Sequence, residues 1–183
     1  MNREQIKLLF SQVNSWQTGD RRAPHKPLLM LYALGKAGRK ESREIKFDQE
    51  FDKRFTQLLK EFGTSKSTSN SHHPFWYLRN DDIWELSGIE NLRMRKGKEE
   101  PLKTSMLYNE VFGGFPEAIY NEIVADHYLL VELAEGILRK NFPPSIYGDI
   151  LDAMGLDLSR NLIERKRRDP AFREKIMRAY EYQ

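Results

Sequence analysis

RRAPHKPLLMLYALG, Arg21 to Gly35, decides how the rest of this chain is read. Leu28, Leu29, Leu31, Tyr32 and Leu34 recur at helical spacing over a length that suits a core helix. Just ahead of them stand Arg21, Arg22, His25 and Lys26, interrupted by Pro24 and Pro27. Proline sits well in the first turn of a helix, where its missing N–H costs nothing. A helix start near Pro24 or Pro27 is therefore predicted. Its first turn carries free backbone N–H groups and the positive end of the dipole. With His25, Lys26 and two arginines beside it, that turn makes a seat for an anion, and phosphate is the obvious one. The same residues also permit a basic loop capping an ordinary core helix.

Upstream, Asn2 to Trp16 repeats Ile6, Leu9, Phe10 and Val13 at three- and four-residue steps, an amphipathic helix ended by Thr18-Gly19-Asp20. Downstream, the organising helix should stop between Gly35 and Gly38, before a polar loop over Arg39 to Ile45. Lys46 to Phe62 places Phe47, Phe51, Phe55, Leu58, Leu59 and Phe62 on one face, a third helix with Gly63 as its cap. Thr64 to His73 is a Ser/Thr-rich loop. PFWYL, a turn at Arg79 to Asp82, and IWEL then predict a β-hairpin from Phe75 to Leu86. Three helices and a hairpin follow the order of a winged-helix unit, an analogy of order alone.

Arg93 to Lys98 is a basic loop, most simply a solvated connection. Lys103 to Val111 reads as a short helix or strand broken by Gly113-Gly114. Pro116 to Phe142 is one long helical region ended by Pro143-Pro144, and Ser145 N-caps a further helix to Met154. From Ser159 the composition turns charge-rich and reads as a linker helix, 159–183, leaving a globular part at 1–158.

A chain of 183 residues makes one domain, or one domain and a tail. Its 39% hydrophobic and 31% charged residues suit a real core. A net charge of +3 gives a weak overall field, so a nucleic-acid site has to be a local patch. The absence of cysteine excludes disulfides, cysteine nucleophiles and thiolate metal sites. It fits a cytoplasmic protein. The N-terminus lacks the apolar region of a signal peptide, and no apolar run approaches membrane-spanning length.

Catalytic patterns are thin. His72-His73 with His25 and Asp81 or Asp82 matches no zinc spacing, and no nucleophile elbow, P-loop or dinucleotide fingerprint occurs. Glu99-Glu100 falls in a hydrophilic loop where nothing should shift a pKa. No metal, cofactor or catalytic residue is assigned. Binding remains. Basic side chains neutralise phosphates, short hydroxyls and amides reach base edges, and aromatics pack on sugars or bases.

RAPHKPLLML together with HHPFWYL resembles the sulfur-binding domain of modification-dependent (type IV) restriction endonucleases of the HNH type. That family reads phosphorothioated DNA, in which sulfur replaces a non-bridging phosphate oxygen. Its first mark falls on Ala23, Pro24, His25, Lys26, Pro27 and Leu28, and its second on His73, Pro74, Phe75, Trp76 and Tyr77. The resemblance covers 1–158. It implies that His25 and Lys26 contact the modified phosphate and that the ring of Pro74 contacts sulfur. Lys26 stands where arginine is frequent, so a point charge replaces a fork. His73 stands for a tyrosine and Tyr77 for an alanine, so Tyr77 supplies part of the apolar wall. Sulfur is larger, more polarizable and less hydrated than oxygen, and an apolar wall penalises the better hydrated atom. DPAFREKIMRAYEYQ resembles the segment leading into the HNH nuclease of the same architecture, whose own residues are absent here.

The resulting expectation is a mainly α domain with a small β-hairpin, winged-helix-like, that binds phosphorothioate-modified double-stranded DNA and is not itself an enzyme. Arg21, Arg22, His25, Lys26, Ser69, Asn70, Ser71, His72 and Arg79 are the DNA-binding candidates. His73, Pro74 and Tyr77 are the sulfur pocket. A homodimer stays open, and no membrane is expected as partner. The alternatives are a winged-helix regulator of unmodified DNA and a protein-interaction module using the aromatic edge.

Overall fold

The computed structural model describes residues 1–13, 24–63 and 70–158, and between the first two the strand backbone at Gln17–Thr18 and Arg21–Arg22. The arrangement is built around α2, His25–Gly38. Pro27, Leu28, Leu29, Met30, Leu31, Ala33, Leu34, Gly35 and Ala37 are all buried, so this helix is apolar nearly all round and lies in the middle of the core. Around it pack α3 (Gln49–Phe62), α4 (His72–Tyr77), α6 (Glu117–Ala125), α7 (His127–Asn141) and α8 (Tyr147–Met154). Gly35 lies inside α2 rather than at its end. A Cβ there would come 2.2 Å from the Met154 carbonyl oxygen, so the missing side chain is what lets α8 approach.

The first helix, α1, runs Arg3–Gln12 behind an Asn2–Gln5 capping box and packs on α7. Beyond it, β1 (Gln17–Thr18) pairs antiparallel with β2 (Arg21–Arg22), a ribbon that the sequence reading missed. The third helix begins at Gln49, because Asp48 caps the Phe51 N–H at 2.9 Å, and ends on Gly63 as expected.

Four expectations are corrected. The Phe75–Leu86 hairpin, and the wing with it, is replaced by helix. HHPFWY forms α4, a 3₁₀ turn follows over Leu78–Asp81, and only Glu85–Ser87 is strand (β4). Burial of Phe75, Trp76 and Leu78 on a helical repeat overrides the β-propensity of the aromatics. Gly113-Gly114 is no break. With Phe112 it forms β5, the middle strand of an antiparallel sheet ordered β3 (Ile45–Lys46), β5, β4. Pro116 to Phe142 is two helices, divided where the Asp126 side chain accepts the Tyr128 and Leu129 N–H groups. Pro144–Ile146 is a 3₁₀ turn, and α8 starts at Tyr147 without a side-chain cap from Ser145.

The undecided stretch after Lys103 resolves as α5, Lys103–Tyr108. The 159–183 segment lies outside the described residues. Among the described helices none is long and apolar enough to cross a membrane.

Candidate functional site

The two sequence motifs meet because α4 packs on α2. Under α4 lies an aromatic bed. Phe75 contacts Phe47 at 5.0 Å, Phe51 at 5.2 Å and Trp84 at 5.5 Å between ring centroids. Gly113 of the sheet makes room for it: a Cβ there would lie 2.8 Å from the Phe75 ring and 2.7 Å from Trp84 Nε1. Gly113, one of the two glycines that read as a chain break, thus makes room for the aromatic bed beneath α4.

On this bed His25 and Lys26 of α2 and His73 and Tyr77 of α4 are half-buried, with part of each side chain reaching solvent. Pro74 is buried among them. The His25 charge bears on His73, so the histidines of the two motifs are neighbours. Lys26 Nζ is paired with Asp81 Oδ2 of the 3₁₀ turn. Arg79 stacks its guanidinium over the Trp76 ring at 3.6 Å, and the indole N–H donates to the Glu99 carbonyl at 2.7 Å.

Glu100 is the residue that sequence reasoning misjudged. It is only 4% exposed. Its Oε1 accepts from Arg95 at 2.9 Å, and its Oε2 accepts from the Tyr77 hydroxyl at 3.2 Å. His73 Nε2 stands 3.1 Å from the same Oε2, at ion-pair distance but without the alignment of a hydrogen bond. Burial alone would push the Glu100 carboxyl up. Arg95, His73 and Tyr77 together outweigh it and hold the group below the usual carboxylate range. Burial lowers the His73 pKa against the opposing pull of Glu100, with the Arg95 and His25 charges adding to the fall. Burial also pushes the Tyr77 hydroxyl up, helped by Glu100. The stretch from Met94 to Pro101 closes on itself through a bridge and carries Glu100 inward, a fold-back with no local signature in the sequence.

Two candidates are corrected. Ser71 is fully buried and its hydroxyl donates to Asp52, which also holds Lys103 at 2.7 Å. It anchors the start of α4 and presents nothing to a DNA groove. His72 is 7% exposed, and burial, aided by His73, lowers its pKa to about 4. It is a neutral packing residue. Asn70 is half-buried and gives its carbonyl to the His73 N–H. Ser69 lies outside the described residues. Arg21 and Arg22 are placed by their strand backbone only. Among the described residues no group of three or more metal-binding side chains gathers.

Fold and site together define a mainly helical domain with a small three-stranded antiparallel sheet, in which the two motifs lie on helices packed against each other. The chain belongs to the ScoMcrA-like DNA sulfur-binding domain family, whose pattern matches residues 3–159. The sulfur-binding domain of ScoMcrA, solved in complex with phosphorothioated DNA, superposes with a TM-score of 0.73 at 21% identity over 82% of this chain and 94% of that one. The SprMcrA domain, also solved with phosphorothioated DNA, gives 0.72 at 20% identity over 85% and 95%. The type IV phosphorothioation-dependent restriction endonuclease ScoMcrA matches at 0.70 and 22% identity, over 82% of this chain and 32% of its own length. At these identities the likeness to solved structures establishes the shared fold. No curated protein matches the chain.

Proposed function

We propose that this chain binds double-stranded DNA carrying a phosphorothioate, with the marked phosphate seated where the first turn of α2 meets α4. The observation that supports the reading is the packing of α4 on α2, which brings the motif with His25 and Lys26 beside the motif with His73, Pro74 and Tyr77. Those five residues come from two motifs about fifty positions apart, and only the packing of α4 on α2 joins them. Membership of the sulfur-binding family and the phosphorothioated-DNA complexes of its relatives support the same ligand.

In this reading Lys26 and His25 supply attraction for the phosphate, which marked and unmarked backbones share. The apolar edges of Pro74 and Tyr77 supply the difference, because moving a well-hydrated oxygen against them costs more than moving sulfur. Arg79, stacked on Trp76, is a further phosphate contact in this reading, and Arg21 and Arg22 remain candidates from the sequence.

The chain contributes recognition, and cleavage would come from an HNH nuclease partner or domain that it directs. Matched duplexes with and without one sulfur test the binding. A large preference for the marked duplex is expected; equal binding would favour a regulator of unmodified DNA, and no binding a protein-interaction module. Incubation with marked plasmid and Mg²⁺, Mn²⁺ or Co²⁺ tests the second point. Strand breaks that depend on a metal and vanish in a His72→Ala/His73→Ala variant would show an active site at the start of α4.

A further inference from the structure

The cations of the site are not bare. Lys26 carries Asp81, whose side chain is 5% exposed, and Arg95 carries Glu100, whose side chain is 6% exposed. Glu100 has a distinct position, because it touches the pocket wall itself through Tyr77 and His73. Its carboxylate gathers three side chains from two separate segments around one buried negative charge. A buried charge acts over short distances with little screening, so this one lowers the field felt by any anion beside Tyr77 and His73.

Field strength bears on which anion is preferred. A strongly positive seat repays the dehydration of a tightly hydrated oxygen. A weak one does not, and favours the anion that gives up its water more readily. We infer that Glu100 is a specificity-determining positioning residue, which keeps the seat weakly positive and its wall fixed, so that sulfur is favoured over oxygen. The inference rests on the phosphorothioate reading above and adds a second source of discrimination to the apolar contact. It gives Arg95 a defined place as well: its charge limits how far Glu100 depresses the field.

The test is a competition between matched duplexes, one with a single phosphorothioate and one without, on the full chain and on Glu100→Gln, Glu100→Asp and Arg95→Gln. Glu100→Gln keeps the shape and removes the charge. It should tighten binding to the unmarked duplex more than to the marked one, so the sulfur preference falls by about three- to tenfold. Glu100→Asp keeps the charge and should restore most of the preference. Arg95→Gln leaves Glu100 less neutralised and should move the preference the other way, with weaker binding to unmarked DNA. Arg95 is more than half exposed, so that variant decides the matter even if thermal melting shows Glu100→Gln unfolded. A full-chain preference that neither Glu100→Gln nor Arg95→Gln alters overturns the role of Glu100 and leaves the phosphorothioate reading standing. No sulfur preference in the unmutated chain overturns both.

Discussion

Lys26 Nζ lies 2.5 Å from Asp81 Oδ2, and this pair ties the first turn of α2 to the turn that follows α4. The lysine therefore holds the two motifs together, and in the proposed complex it also faces the phosphate. Lys26→Ala should weaken binding to marked and unmarked duplexes and reduce the slope of log affinity against log salt by about 1. It should also cost roughly 1–3 kcal/mol of stability, because Asp81 loses a charged partner in a buried place. Titrations across salt concentration check the first point and thermal melting the second. A full salt slope in the variant would remove Lys26 from the DNA interface.

Pro74→Ala should weaken binding to the marked duplex more than to the unmarked one, by roughly 1–2 kcal/mol for a lost apolar contact. Pro74 is buried in the first turn of α4, so the variant should also lose some stability, and binding is compared on the folded fraction. Equal losses on both duplexes would assign the ring to the fold.

Stability should fall on acidification before the carboxylates titrate. The His72 pKa is held at about 4 in the folded chain, against about 6.5 when unfolded. Between those values the unfolded state binds more protons, so stability is intact above about 6.5 and declines as the pH drops toward 4. His73, also lowered, acts in the same sense. Glu100, lowered too, adds its loss only below the usual carboxylate range. Urea titrations between pH 7 and 5 should show the decline in the natural chain and a reduced decline in His72→Asn. Parallel curves would place the proton uptake elsewhere.

Gly113→Ala should unseat the site without touching it. The new methyl would press on Phe75 and Trp84, an overpacking expected to cost about 1–3 kcal/mol. Because Phe75 belongs to α4, binding to both duplexes should fall together. Leu86, opposite Gly113 in the sheet, gives a comparison. Leu86→Ala should lower stability while leaving binding of the folded fraction near normal.

The helical frame was readable because apolar periodicity reports burial directly. Leu28 to Ala37 and Phe51 to Phe62 fell where their spacing put them. HPFWY misled because aromatic residues serve a pleated strand and a buried short helix equally well, and the choice was made in packing against Phe47 and Phe51, which are distant in sequence, and Trp84. Gly113-Gly114 misled because glycine marks both chain breaks and tight approach. His25, Lys26, His73, Pro74 and Tyr77 were singled out through the two motifs, whose helices pack together, and their part in binding belongs to the proposal. Glu100 was missed since its burial depends on a loop folding back and on partners from α4, neither of which has a local signature. Ser71 and His72 were misplaced for the converse reason: polar side chains suggested solvent, and Asp52 and the packing of α4 drew them inside.

Burial of α2 on nearly every side has a mechanical consequence. The first turn that carries His25 and Lys26 is continuous with a helix buried in the core, so a movement of α2 as a body would drag the centre of the domain. The hydrogen-bonded amides in the middle of α2, from Leu29 to Leu34, should exchange with solvent only as fast as the whole chain opens. On meeting a duplex, then, the protein acts as the rigid die, and the sugar–phosphate backbone is the partner that has to change shape.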